Sequence, residues 1–156
     1  MAKEHIYTPT ITWTGNRGSG TSHYTSYSRD HIITIAGKPD ILGSSDPAFR
    51  GSKDRHNPED SLVSAISACH MLSYLHLCAV NNVLVEQYVD HATGTMMENA
   101  DGSAQFREIV LKPVVTVKEN GMIGKALSLH HDANKICFIA RSVNFPVLHY
   151  PEIIVS

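Results

Sequence analysis

The chain has 156 residues, of which 42% are hydrophobic, so it is long enough to bury the core of a single domain over residues 1–156. A formal net charge of -2 gives no indication of a nucleic-acid or anionic-membrane partner. Three cysteines are too few for a disulfide scaffold, and the N-terminal sequence lacks an apolar signal region, so we expect a cytoplasmic protein.

The first third of the chain predicts short strands and turns. Alternating polar and apolar residues indicate strands at residues 5–14, 22–28 and 31–36, of which the last two form a hairpin. The glycine-rich stretch 15–20 is a turn and lacks the Lys-Ser/Thr ending of a phosphate-binding loop. Residues 37–56 form a long irregular connection of the kind that often carries function.

Residues 57–80 are the segment around which the chain is organised. Asn57 is a good N-cap, Pro58 suits the first helical position, and two acidic residues follow where the helix dipole favours negative charge. No charged residue lies between Ser61 and Val85, and apolar side chains fall on opposite sides of the helix. Such a helix is expected to be buried on most sides, which indicates a second layer such as another subunit.

The second half of the chain predicts an antiparallel hairpin, a second helical region and a final strand region. The hairpin strands are residues 83–98 and 104–118, with a turn-forming Asn-Ala-Asp-Gly sequence between them. The helical region covers residues 122–143, and the tail after it indicates one or two strands. Because strands and helices do not alternate regularly, the predicted fold class is α+β with an antiparallel sheet.

Two cysteines occupy similar places on the two helices. Asp132 is predicted to cap a helix with Cys137 on its apolar face, as the first helix carries Cys69. Cys78 lies about 13 Å from Cys69 along the same helix, whereas a disulfide needs Cα atoms about 4.4–6.8 Å apart. If Cys69 has an intramolecular partner, it is therefore Cys137. The alternative is that each cysteine packs as a small hydrophobic residue.

A reactive Cys69 must ionise, and burial opposes ionisation of a thiol. The helix dipole fades within the first turn, so the activating cation must come from elsewhere. An arginine is the best candidate, because its guanidinium stays charged and can contact a carboxylate and a thiolate together. Glu59 lies about 15 Å from Cys69 along the helix, so it cannot touch the thiol but could orient such an arginine.

Ten histidines raise the question of a metal. A zinc site can be imagined from Cys69, His76, His130 and Cys137, but helical residues seven apart are separated by about 10 Å, too far for one ion. We therefore predict no metal and no cofactor. His70, beside Cys69 in sequence, is expected to be a core or interfacial residue, and the serines and histidines of the first helix argue against a membrane span.

The sequences around the two cysteines, NPEDSLVSAISACHM and HHDANKICFIARSVNFPV, resemble the OsmC/Ohr family of thiol peroxidases. In that family an Asn-Pro-Glu helix start is followed ten residues after the Glu by the first cysteine, and a second cysteine lies on a later helix. Glu59, Cys69 and Cys137 fit this pattern. His70 and Phe138 depart from it, because the family usually has Phe after the first cysteine and Pro after the second, which is typical of a third, less characterised branch.

The resemblance implies an OsmC-like fold, with two central buried helices and antiparallel sheets in an intertwined homodimer. It also implies a role in the oxidative stress response, in which organic hydroperoxides are reduced to alcohols. In this chemistry Cys69 becomes a sulfenic acid and then forms a disulfide with Cys137. An external dithiol, thioredoxin-like or lipoyl, restores the two thiols.

The catalytic arginine implied by the resemblance depends on the branch. Ohr-type members carry it in the first glycine turn, which corresponds to Arg17. OsmC-type members carry it shortly before Asn-Pro-Glu and supply it from the other subunit, which corresponds to Arg50. The Phe49-Arg50-Gly51 setting favours Arg50. An alternative function is that of an OsmC-like dimer that binds an apolar small molecule without peroxidase activity.

Overall fold

Nine β-strands and two α-helices are found in residues 2–156, the part of the chain that the structure, a computed structural model, describes. Strands and helices do not alternate regularly, so the predicted α+β class is confirmed. The chain divides into two units, Met1–Ser61 and Leu62–Ser156. The single domain expected over residues 1–156 stays a prediction.

The first unit contains a three-stranded antiparallel sheet in the order β1-β2-β3. Its strands are β1 (Thr10–Trp13), β2 (His31–Thr34) and β3 (Ile41–Gly43). Isoleucine and threonine, which favour strands, supply most of their residues. The strand predicted over residues 5–14 is therefore confirmed only in its last part.

The strand predicted over residues 22–28 is wrong, because this segment forms turns and β2 pairs with β1 and β3 instead. Its serine side chains bond to nearby backbone groups. The Ser26 hydroxyl accepts from the backbone N–H of His23 (3.1 Å) and donates to a nearby carbonyl, while Ser28 accepts from the N–H of Asp30 (3.0 Å). These local bonds compete with the ladder of a sheet.

One carboxylate orders the long connection between β2 and the first helix. Asp30 accepts hydrogen bonds from the hydroxyls of Ser44 (2.9 Å) and Ser52 (2.7 Å), and Arg55 lies 3.5 Å from its other oxygen. Burial raises the pKa of Asp30, but the bonds from Ser52 and Ser44 and the charge of Arg55 outweigh it and lower the pKa below its usual value. Residues 37–56 are thus less irregular than predicted, and they include β3 and a short 3₁₀ helix, Pro47–Phe49.

The first helix, α1 (Pro58–Val80), begins where the sequence predicts. Asn57 caps it, because its side-chain oxygen accepts a hydrogen bond from the backbone N–H of Asp60 (2.7 Å). The Asn57 side-chain amide donates in return to the Asp60 carboxylate (2.9 Å). This reciprocal pair of bonds fixes the first turn of the helix.

Within the chain, α1 buries one stripe rather than most of its sides. The buried residues are four apart, at Ile66, His70, Tyr74 and Cys78. Other positions remain open, and Leu72 is 63% exposed. By its length and apolar composition alone, α1 could cross a membrane. Its buried stripe, however, packs into the protein core of the second unit.

The second unit contains two three-stranded sheets, each with one antiparallel and one parallel pair. Their orders are β4-β7-β9 and β5-β6-β8. The strands are β4 (Val85–Asp90), β5 (Thr93–Glu98), β6 (Ala104–Leu111), β7 (Pro113–Val117), β8 (Val147–His149) and β9 (Glu152–Val155). The apolar stripe of α1 packs on both sheets, with Ile66 against β6 and Tyr74 near β7.

The prediction of a purely antiparallel sheet is wrong for the second unit, because the two C-terminal strands, β8 and β9, pair in parallel with β6 and β7. A crossover that contains a helix returns the chain in the same direction, and here the second helix lies between β7 and β8. The predicted hairpin is present but breaks into two strand pairs at Lys112. There Asp90 accepts the backbone N–H of Lys112 (2.7 Å), and Pro113, which has no N–H, begins the next strand.

The second helix, α2 (Ile123–Ile136), begins near the start of the helical region predicted over residues 122–143 but ends well before residue 143. Asp132 therefore lies inside the helix instead of capping it, and Cys137 is the residue that follows its end. The buried positions are Ala126, Leu129, His130 and Ala133, so the buried stripe of α2 begins before Asp132 rather than after it.

Gly94 allows α1 to approach the sheet that contains β5 and β6. A Cβ atom at this position would lie 2.6 Å from a methyl of Val63 on α1 and 2.7 Å from the Phe106 ring. We expect Gly94→Val to lower the free energy of unfolding by about 1–3 kcal/mol, because either neighbour must move. Gly121→Ala is the control, since nothing lies within 4 Å of its added methyl. Urea unfolding that gives equal stability for Gly94→Val and wild type would contradict this packing.

Candidate active site

The structure brings Cys69 and Cys137 side by side in the second unit. Cys69 is half-buried in the middle of α1, and Cys137 is fully buried just beyond α2. The Cys69 side chain is close enough to affect the ionisation of the Cys137 thiol. Both cysteines are free thiols. A thiol on α1 thus meets a thiol just beyond α2, as a disulfide between distant parts of a chain requires.

The Cys137 thiol is held in its protonated form at neutral pH. Its pKa is raised to about 11, mainly by burial and in part by the neighbouring Cys69 side chain. The backbone N–H groups of Ala140 and Ile139 have the opposite effect and lower the pKa. A thiol is a weaker nucleophile than a thiolate, so Cys137 is not suited to the first attack on a substrate. Its place beside Cys69 suits a second, resolving step.

Cys78 lies apart in the core. It is 1% exposed and packs with Tyr74 and Val115. Burial raises the pKa of its thiol. The expectation that Cys78 is a core residue is therefore confirmed.

Glu59 lies in the first turn of α1 and carries an unusual feature. Its Oε2 atom is buried and has no hydrogen-bond partner among residues 2–156. A buried carboxylate oxygen without a donor is costly to the fold. The atom is therefore open to a donor such as a guanidinium.

Arg17 and Arg50 both lie on exposed segments of the first unit. Arg50 follows the 3₁₀ helix Pro47–Phe49 with a left-handed backbone (φ 66°), which is uncommon for a residue other than glycine. Its guanidinium lies 5.9 Å from the centre of the Tyr24 ring. Within residues 2–156 neither arginine takes part in an ion pair, so both are free to bind a carboxylate of another chain or a ligand.

A cluster of aromatic residues that the sequence did not predict lies beside the cysteine-bearing segment of α1. His70 Nε2 and His130 Nδ1 are 3.0 Å apart, so one of these nitrogens donates a hydrogen bond to the other. The two ring planes differ by 10° and their centres are 5.4 Å apart, so the rings lie end to end. The Tyr74 ring stacks on His130 at 3.8 Å. His149 and Tyr88 also belong to this group. We call the five residues His70, Tyr74, Tyr88, His130 and His149 the imidazole cluster.

Burial keeps the histidines of the imidazole cluster neutral at pH 7. Burial is the main cause of a pKa of about 4 for His70 and about 3 for His130; His149 contributes to both, and His70 contributes to the low pKa of His130. Four polar atoms of the cluster are buried without a hydrogen-bond partner among residues 2–156: His70 Nδ1, His130 Nε2, His149 Nδ1 and Tyr88 Oη.

The zinc set considered from the sequence is not assembled, because His76 is exposed whereas His130 is buried. Among residues 2–156 no group of three or more His, Cys, Asp or Glu side chains could hold a metal ion. The nitrogens of His70 and His130 point at each other at hydrogen-bond distance, which leaves no room for an ion between them.

Comparison with known families places the fold. A family model described as OsmC-like protein matches residues 51–149. The chain belongs to the OsmC-like protein family. A comparison of the sequence with functionally curated proteins gives no match.

Solved structures of OsmC-like proteins share the fold over nearly the whole chain. An OsmC-like protein of unknown function from Vibrio cholerae is 31% identical, with a TM-score of 0.84 over 97% of this chain and 100% of its own. An organic hydroperoxide resistance protein from Elizabethkingia anophelis is 13% identical, with a TM-score of 0.69 and full coverage of both chains. OhrB of Bacillus subtilis, also named for organic hydroperoxide resistance, is 20% identical, with a TM-score of 0.61 over 95% and 98% of the two chains. At these identities the last two likenesses show the fold alone.

Some features of this site were not predicted from the sequence. The sequence indicated that His70 would be a core or interfacial residue, and it is 1% exposed. Its contacts with His130 and His149 join distant segments, and no local spacing predicts them. Ile66, one turn before His70 on α1, packs in the core with Ile109 and Leu111.

The low pKa values of the buried pair predict that this OsmC-like protein loses stability in acid. A histidine in the unfolded chain has a pKa of about 6.5, so between pH 6.5 and 4 the unfolded state binds more protons than the folded one. We expect the free energy of unfolding to fall by about 2 kcal/mol or more for each imidazole between pH 7 and 4.5.

Urea unfolding at both pH values measures this loss. The double variant His70→Leu/His130→Leu should lose this part of the pH dependence, whereas His76→Gln, which changes an exposed histidine on the same helix, should keep it. An equal loss in wild type and double variant would show that the buried imidazoles are not its source.

Proposed function

We propose that this OsmC-like protein is a cysteine-based peroxidase that reduces organic hydroperoxides to alcohols. The observation that carries the proposal is the meeting of two free thiols, Cys69 on α1 and Cys137 directly after α2. The thiols differ in setting, because Cys69 is half-buried whereas Cys137 is fully buried and has a raised pKa. Such a difference supports an attacking and a resolving role.

The first step belongs to Cys69. Its thiolate attacks the distal oxygen of the hydroperoxide, so that an S–O bond forms and the O–O bond breaks. The alkoxide leaves with the bonding electron pair and takes up a proton to become the alcohol. Cys69 is left as a sulfenic acid.

The second step closes the disulfide. The sulfur of Cys137 attacks the sulfur of the sulfenic acid, and the hydroxyl leaves as water with the proton of the Cys137 thiol. An external dithiol, thioredoxin-like or lipoyl, then returns two electrons and two protons and restores both thiols. The cycle needs no metal and no other cofactor.

Activation of Cys69 is assigned to Arg50 of the partner subunit. A guanidinium stabilises the thiolate and the developing alkoxide, and its second edge binds a carboxylate. The buried, unpartnered Oε2 of Glu59 supports this role, because it lacks the donor that a guanidinium supplies. Arg17 is the competing candidate.

A homodimer in the cytoplasm completes the proposal. Large hydrophobic side chains remain exposed in the single chain, among them Leu72 (63%), Val80 (62%) and Phe138 (78%). Exposed apolar surface on this scale is typical of a protein interface. A second copy that covers α1 accounts for a helix that is apolar on nearly all sides.

Cysteine substitutions test the chemistry. Cys69→Ser should reduce consumption of cumene hydroperoxide to background, because the attacking thiolate is gone. Cys137→Ser should complete one turnover and leave a sulfenic acid that dimedone traps. Cys78→Ser is the control and should retain turnover, since Cys78 lies in the core.

Peptide mass spectrometry of wild type after one equivalent of peroxide should map a Cys69–Cys137 disulfide. Free thiols with unconsumed peroxide would contradict peroxidase activity and favour the binding of an apolar ligand. An active Cys69→Ser variant would also overturn the assignment.

The arginine assignment predicts complementation between two inactive variants. Arg50→Ala should lower kcat/KM by about 100-fold, whereas Arg17→Ala, the matched control, should change it little. Coexpression of Arg50→Ala with Cys69→Ser should restore activity, because one site of the mixed dimer then has both groups. No recovery in the mixed dimer, or a greater loss in Arg17→Ala, would contradict the role of the partner's Arg50.

A further inference from the structure

The imidazole pair His70–His130 links α1, which carries Cys69, to α2, which Cys137 directly follows. His70 follows Cys69 directly on α1, and His130 lies on α2, which ends one residue before Cys137. The hydrogen bond between the imidazoles is 3.0 Å long, and both side chains are at most 1% exposed. Nothing in the peroxidase mechanism uses these two histidines.

A second buried hydrogen bond joins the same helices one turn away. The Tyr74 hydroxyl on α1 donates to the carbonyl of Ala126 on α2 (3.1 Å). From one bond to the other the residue number rises by four on α1 and falls by four on α2, so the helices run antiparallel along this contact. Two bonds at matching four-residue intervals fix how far one helix can slide along the other.

The imidazole pair is a costly way to fill this position. Its outer nitrogens, His70 Nδ1 and His130 Nε2, are buried without partners among residues 2–156. Apolar side chains of similar size fill such a space without that penalty, but they tolerate sliding, because hydrophobic contact has no direction. A hydrogen bond has direction, and a buried one selects a single arrangement.

The arrangement that it selects matters to the cysteines. A disulfide forms only when the two Cα atoms lie about 4.4–6.8 Å apart, and a helix rises about 1.5 Å per residue. A slip of two residues between α1 and α2 is therefore comparable to the whole permitted range. The position of Cys137, directly beyond the end of α2, follows any movement of that helix.

We propose that His70 and His130 are positioning residues, which hold α1 and α2 in the register that keeps Cys69 and Cys137 within reach of each other. The inference deepens the proposed function, since it concerns the same cysteine pair, but it can be tested without peroxide. It assigns to His70, where related sequences are expected to carry Phe, a role in the resolving step.

The test is the equilibrium between dithiol and disulfide in mixtures of reduced and oxidised dithiothreitol. When the Cys69–Cys137 disulfide forms, two electrons and two protons pass from the protein thiols to oxidised dithiothreitol, which becomes its dithiol. Acid quenching, alkylation and mass spectrometry give the oxidised fraction. We expect His70→Leu, His130→Leu and the double variant each to lower the equilibrium constant by about tenfold, with non-additive effects because the two residues act as one unit.

The control is His76→Gln, which changes an exposed histidine on the same helix and should leave the equilibrium constant unchanged. A role confined to folding would lower the melting temperature of the His70 and His130 variants but leave the constant of the folded proteins at the wild-type value. That result would overturn the inference. Absence of the disulfide in wild type would also overturn the inference. A wild-type protein that forms the disulfide but does not turn over peroxide would contradict only the peroxidase proposal.

A measurement on the unaltered protein covers the case in which the variants do not fold. The imidazole ¹⁵N resonances of His70 and His130 should shift when the Cys69–Cys137 pair is oxidised, since the bond between them bears on the same helix register. Those of His76 should stay in place. Unchanged resonances of all three histidines on oxidation would overturn the inference.

Discussion

The packing of α1 is the constraint on which the rest of the second unit depends. Its buried stripe meets two sheets, with Ile66 in one core cluster and Tyr74 and Cys78 in the other. His70 lies between these two apolar parts of the stripe. The helix therefore has to serve as a core element and as the carrier of Cys69 on a neighbouring, less buried face. Between Ser61 and Val80 the helix has no charged residue. It can therefore pack any of its faces against the protein without removing a charged side chain from water, which would be costly.

Hydrogen bonds between polar side chains connect separate elements of this core. Asp90 accepts from Ser67 on α1 and from the backbone of Lys112 between β6 and β7, so one carboxylate joins the helix to the break between the sheets. The bond between His70 and His130 joins the two helices in the same way. Because buried hydrogen bonds are directional, such links select one packing from the many that a purely hydrophobic core allows.

Local signals in the sequence were sufficient for features made by neighbouring residues. The start of α1 follows from Asn57 and Asp60, and the turn between β5 and β6 follows from Asn99 and Gly102, whose φ of 84° suits glycine. The same approach failed for residues 22–28, where β-type residues are interleaved with serines whose side chains bond nearby backbone groups. It also misplaced α2, because Asp132 is a good cap by type but lies in a segment whose buried stripe begins at Ala126.

The sequence by itself determined the α+β class, the start of α1 and the hairpin turn, and it singled out Cys69 and Cys137 as the candidate cysteine pair. Each of these depends on residues close in sequence or on a motif that survives without the fold. Only the tertiary structure decided that the sheets are mixed, that Cys137 lies beyond α2, and that His70 and His130 form a buried pair. Those features arise where segments far apart in the chain compete for the same core. The outcome of that competition depends on packing and directional bonds that no local pattern contains.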